Sequence, residues 1–302
     1  MTDPMDIGRV KEPVEQALVG GRSLWEDART RLFRNRAAVV SMWILGLLGL
    51  IAIFGPMLWP HSYVEIKING TTKLDPQWTD WLWLGTDTQG RDNVARLMYG
   101  LRISMMVGLV ATLVSLTIGV TWGSVAGFVG GRTDQIMMRF VDVLYALPFI
   151  FFVILLLTVF GRNILLIFAA IGAVQWLTMA RIVRGQTLAI KGKEFIEAAR
   201  AAGVPRSKMI SRHVIPNIIG PVAVYVTLTV PIVILAESFL SFLGLGVSEP
   251  QTSLGVLISD GNKEMRERPW LLFSSAGTMA ILLLSLNFIG DGLRDALDPK
   301  DR

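Results

Sequence analysis

The sequence of 302 residues contains no cysteine. That excludes a disulfide framework, a thiolate metal site and a cysteine nucleophile, and it leaves the redox compartment unread. Histidine is scarce, with only His61 and His213, and no His-Glu-x-x-His occurs. Neither residue is expected to bind metal. A Gly-x4-Gly-Lys-Ser/Thr phosphate loop and a Gly-x-Ser-x-Gly turn are also missing. The chain therefore has no ATPase or hydrolase signature of its own, and no bound cofactor is expected. Charge is thin, at 18% of residues.

Apolar sequence is abundant. Hydrophobic residues make up 52% of the chain, mean hydropathy is +0.52 and there are nine tryptophans. Such values belong to an all-α polytopic membrane protein. Six spans are expected, at about 37–59, 103–131, 141–160, 164–180, 214–243 and 270–289, following a polar tail at 1–36. The tail predicts no secretory signal peptide. Pro60 should end the first span, Pro148 should kink the third, and Gly161-Arg162-Asn163 should turn tightly into the fourth. Counting Lys and Arg places 20 on the side of both termini and of the 181–213 loop, against nine opposite. That bias puts both termini and the loop in the cytoplasm. It also accounts for the net charge of +5 without nucleic acid.

Ser23-Leu24-Trp25-Glu26 has capping-box form and opens a helix with Leu24, Ala28 and Leu32 on one face and Arg29, Arg31, Arg34 and Arg36 around the rest. Such a helix either lies on the anionic inner membrane surface or is simply solvated. Trp78, Trp81 and Trp83 in the 60–102 loop suit an interfacial belt. In the second span Ala111, Ser115, Gly119, Gly123, Gly127 and Gly131 recur every four residues. This ribbon of small residues lets another backbone approach, within the chain or at a subunit interface. Glu237 is the only acid deep in an apolar run. It is a pore or gate candidate, with a hydrogen-bonded structural acid as the alternative.

The stretch from Lys191 to Asn217 must lie in water, because burying Lys191, Lys193, Arg200, Arg206 and Lys208 in a bilayer would cost about 2.5–3.5 kcal/mol each. Phe195, Ala198, Ala199 and Ala202 fall at helical spacing on one side. Gly203 sits where a helix C′ residue takes positive φ, and Pro205 suits the first turn of a new helix. A small alanine-lined helix closed by a glycine corner is a docking element; a helix lying on lipid is the plainer alternative.

Glu197-Ala198-Ala199, Gly203 and Pro216 resemble the EAA loop of the membrane subunits of ABC importers. His213-Val214-Ile215-Pro216 stands where the general pattern has Ile-x-Leu-Pro, and is similar to the peptide-importer branch. Leu84-Gly85-Thr86-Asp87 with Gly90-Arg91-Asp92, the run Ser238 to Gly246 and the C-terminal tail resemble the peptide and nickel permeases. The likeness extends over nearly the whole chain and is closest to the C-type membrane subunits of oligopeptide importers, with dipeptide importers next.

The resemblance implies a type I importer fold, with the loop helix seated in a cytoplasmic ATPase. It also implies a homologous second membrane subunit, two ATPases holding ATP and magnesium, and an extracytoplasmic peptide-binding protein. Dipeptides, nickel chelates or related solutes are the alternative cargo. A secondary transporter would need an ion relay or inverted repeats, and neither is evident.

Overall fold

The computed structural model describes residues 24–66, 74–78, 80–160 and 164–297. Ser23 of the expected capping box lies outside them. The described residues are helical apart from turns and two isolated bridges. In chain order the helices are α1 (Leu24–Arg34), α2 (Arg36–Leu58), α3 (Asn93–Val129), α4 (Gly131–Tyr145), α5 (Phe149–Phe160), α6 (Ile164–Lys191), α7 (Glu194–Ala201), α8 (Arg206–Met209), α9 (Ile215–Phe242), α10 (Leu254–Lys263) and α11 (Pro269–Leu297). A π turn, Ile210–Val214, joins α8 to α9. Among the described residues four helices are long and apolar enough to cross a bilayer, or five if the bent pair α4 and α5 counts as one span.

The helices outrun the apolar segments. α3 starts ten residues before the expected boundary at 103, because the Asp92 carboxylate caps it by accepting from the backbone N–H of Val94 and Ala95 at 2.7 and 3.3 Å. α6 continues past 180 to Lys191, so Arg181 and Arg184 stand on a helix instead of in a loop. The third segment is two helices meeting at 88°. The break falls at Ala146–Pro148, where Pro148 has no N–H to donate and disfavours helix at Leu147. The stretch between α9 and α11 holds a helix unforeseen from its sequence, α10, which Ser253 caps.

The glycine ribbon closes the centre of the molecule. A Cβ on Gly119 would sit 2.6 Å from Met179 Cβ, and one on Gly123 would sit 2.4 Å from the Ala180 carbonyl oxygen. At Gly127 it would meet Thr187 Cβ at 2.9 Å, and Ser115 is fully buried. The ribbon therefore seats α3 against α6 within the chain. Gly131 is not part of it: with φ +59° it begins α4, and nothing lies within 4 Å.

On the outside, α2 shows the reverse of a soluble helix. Trp43 is 79% exposed and Leu58 84%, while Ala38 and Ala52 face inward. That is a lipid-facing surface. α1 turns buried Ala28 inward and packs half-buried Leu32 near Gly292 of α11, so these two residues of its apolar face lie against protein. Trp78, Trp81 and Trp83 remain 43–80% exposed in a cluster with Trp59, as a belt requires.

Candidate functional site

Three places stand out, and the first and third gather residues that sequence alone singled out. The first is the corner between α6 and α9. Gly203 has φ +76°, its N–H donates to the Arg200 carbonyl at 3.1 Å, and the Val204 N–H donates to the Ala199 carbonyl at 3.1 Å. These two bonds satisfy the end of α7 and form a Schellman closure. Pro205 stands at the N-cap of α8, one position ahead of the first helical turn.

The expected apolar face of α7 divides in two. Ile196, absent from that expectation, is fully buried with Met209, Val214 and Phe128, and Ala199 and Val204 pack against them. Phe195, 43% exposed, Glu197, Ala198 and Ala202 point away from the chain. α7 is thus anchored by one face and offers the other. Pro216 is not on this offered face; it lies in the first turn of α9.

Two ion pairs brace the same end. Arg184 donates from Nε and Nη2 to both oxygens of Asp134 at 2.6 Å, joining α6 to α4 in a bidentate pair. Arg181 bonds Asp142 at 2.8 Å and lies 4.1 Å over the Tyr145 ring. Beside it opens the second place, a groove of about 490 Å³ at the α4–α5 break, lined by Tyr145, Pro148, Gln175, Thr178, Ile232 and Ala236. Gln175 and Thr178 have no hydrogen-bond partner among the described residues. Gln175 lies six residues, roughly 9 Å of helix rise, from the level of Arg181. A polar group without a partner is unfavourable against hydrocarbon, which suits a wall open to water or another protein.

The third place is Glu237. It is completely buried, accepting from Ser241 Oγ at 2.6 Å and from Ser104 and Ser238 Oγ at 3.4 Å. Ser104 in turn accepts from the Leu254 N–H at 3.1 Å, and Ser241 meets Ser253 at 3.3 Å. Glu237 therefore ties α3 and α9 to the start of α10 and reaches no surface of this chain.

The segment 84–92, to which sequence assigned no role, is the hub of an extramembrane clamp. Asp87 accepts from Arg91 Nε at 2.7 Å and also from Arg96. Arg91 reaches Glu249 at 3.1 Å, and Arg268 donates to the Thr86 carbonyl at 3.0 Å. Burial pushes the Asp87 carboxyl up, but the Arg96 charge and the bonds from Arg91 outweigh it and hold it below the ordinary range. Glu249 is held down by the Gln89 hydrogen bond and by Arg91. His61 bonds the Asp80 carbonyl at 2.7 Å, and no cluster among the described residues suits a metal.

Residues 119–302 match the model of the binding-protein-dependent transport system inner membrane component. The chain belongs to that family. Residues 23–76 also match the N-terminal transmembrane domain of oligopeptide transport permease C. This permease is 51% identical over 98% of its length to the oligopeptide transport system permease protein OppC of Haemophilus influenzae, covering 95% of that protein. It is 53% identical over 95% of its length to OppC of Escherichia coli K12, again covering 95%. To the dipeptide transport system permease protein DppC of Bacillus subtilis it is 44% identical over 93% of its length, covering 87% of that protein. The inward-facing MetNI methionine ABC transporter shares the fold, with a TM-score of 0.55 at 16% identity over 67% of this permease and 96% of that chain. The permease is thus a multi-pass membrane transport component.

Proposed function

We propose that this permease forms half of the translocation pathway of an ATP-driven oligopeptide importer and is driven through α7. The single observation carrying this reading is α7 itself, a short helix anchored by Ile196, closed at Gly203 and presenting Phe195, Ala198 and Ala202 outward. It joins α6 to α9, two helices that line the groove at the α4–α5 break, so a push on it acts on the pathway wall. Oligopeptides are preferred over dipeptides because OppC of Haemophilus influenzae and of Escherichia coli are 51% and 53% identical, against 44% for DppC of Bacillus subtilis.

In this reading the chain spans the inner membrane six times, with both termini and α7 in the cytoplasm as the Lys and Arg bias supports. A homologous second permease supplies the other wall. Two ATPase subunits hold ATP and magnesium and carry out the hydrolysis, and an extracytoplasmic binding protein delivers peptide. Moving such a pathway from about 1:99 to 99:1 between its two states takes roughly 5.5 kcal/mol, which enters through the ATPase contact.

Phe195→Asp tests the docking face. It removes an exposed aromatic anchor and should leave the membrane fold intact, while weakening ATPase association by at least about 2 kcal/mol, roughly thirty-fold. The check is copurification of the ATPases from mildly solubilised membranes; undiminished recovery would move docking elsewhere. The groove has its own test, made clean by the lack of native cysteine. Thr178→Cys should be labelled by a membrane-impermeant thiol reagent in the assembled importer and protected by transported peptide. Labelling only after the lipid is stripped would mean that the groove faces bilayer.

A further inference from the structure

α2 and α11 touch closely where a Cβ on Gly292 would come within 2.6 Å of Ala38 Cβ. Toward the bilayer they part into an open groove of about 460 Å³, walled by Val40, Ile44, Leu284 and Phe288 and mouthed by Arg36. From Arg36 to Ile44 the helix rises about 12 Å, the outer part of one leaflet. Arg36 is the first residue of the span, at headgroup level whichever way the chain is oriented. Its guanidinium is exposed and bonds to nothing among the described residues, and exposed Arg34 stands two residues before it. An apolar slot at acyl depth under an uncompensated cation at phosphate depth matches one ligand in both parts.

We propose that this groove holds an acyl chain of one anionic phospholipid, with its phosphate on Arg36. The charge adds a bias for an anionic over a zwitterionic headgroup of roughly five-fold for one arginine at a membrane surface. The walls accept any fatty chain, so the selectivity resides in Arg36. Neither α7 nor the pathway groove is involved.

The test uses the full chain with the subunits that copurify with it, exchanged into equal amounts of phosphatidylglycerol and phosphatidylcholine, with bound lipids counted by native mass spectrometry. The native chain should retain phosphatidylglycerol about five-fold in preference. Arg36→Gln should bring the two to parity, and Arg36→Lys should keep the preference. Val40→Trp, which fills the slot, should lose the bound lipid of either kind. Equal retention of both lipids by the native chain would overturn the proposal, as would a preference that survives Arg36→Gln. Retention of neither would overturn it too, because another subunit would then cover the groove.

Discussion

A leucine at Gly123 is expected to prevent the chain from accumulating in the membrane. In hydrocarbon, helices associate by close packing, since lipid tails are as apolar as leucine. Gly123 lies at the tightest point of the α3–α6 contact. Its first added carbon would stand 2.4 Å from the Ala180 carbonyl oxygen and 2.9 Å from the Arg184 nitrogen. Those are main-chain atoms of a helix pinned by the Arg184–Asp134 pair, so they cannot swing aside. Overpacking a core typically costs about 1–3 kcal/mol. A four-carbon side chain against backbone exceeds that range, while Gly123→Ala should fall within it. Gly185→Ala on α6, with nothing within 4 Å, should be neutral or stabilising by up to about 1 kcal/mol. Extracted protein and its Tm in mild detergent report all three variants. Normal accumulation of Gly123→Leu at unchanged Tm would mean that the ribbon does not face α6.

Asp87→Ala should cost about 3–5 kcal/mol, because it leaves Arg96 and Arg91, 2% and 5% exposed, as buried cations stripped of their shared carboxylate. The loss should show as a lowered Tm and as proteolysis within the outer loops. Its pH dependence follows from the depressed folded-state pKa. The Asp87 contribution is fully present above the unfolded value of about 3.9 and is lost as pH falls through the lower folded value. Tm should therefore hold from neutrality to about pH 5 and fall below about pH 4, whereas Asp87→Asn should flatten that acid limb. An acid limb of equal steepness in Asp87→Asn would place its origin in other carboxylates.

Local rules were legible in the sequence. Positive φ at Gly203, the break at Pro148 and the cap at Asp92 each depend on a few neighbouring residues, although the cap was found only in the structure. The ribbon was legible as a close-packing face, but its partner was not, since nothing in Gly119 or Gly123 names Met179 or Ala180. The clamp was hidden for a similar reason: Arg91 and Glu249 are 158 residues apart, and no periodicity joins them.

α7 misled in detail because alanines mark a face weakly. Grouping Phe195, Ala198, Ala199 and Ala202 overlooked Ile196, the one large aliphatic side chain in the helix and the one that is fully buried. For Glu237 the neighbouring Ser238 and Ser241 were a local signal for a hydrogen-bonded acid, while Ser104 and Ser253 come from remote sequence.

Coupling through α7 is tested most directly at Gly203. A Cβ there would meet no atom within 4 Å, so the effect of a valine is set first by φ +76°, a conformation costing about 1–2 kcal/mol for an L residue and more for a β-branched one. The measurement is peptide uptake per ATP hydrolysed, in vesicles holding the permease with its partner subunits and loaded binding protein. Gly203→Val should remain in the membrane and assemble, yet take up peptide at least about ten-fold more slowly per ATP than the native complex, the equivalent of 1.4 kcal/mol of lost coupling. Native uptake per ATP from that variant would contradict transmission through this helix.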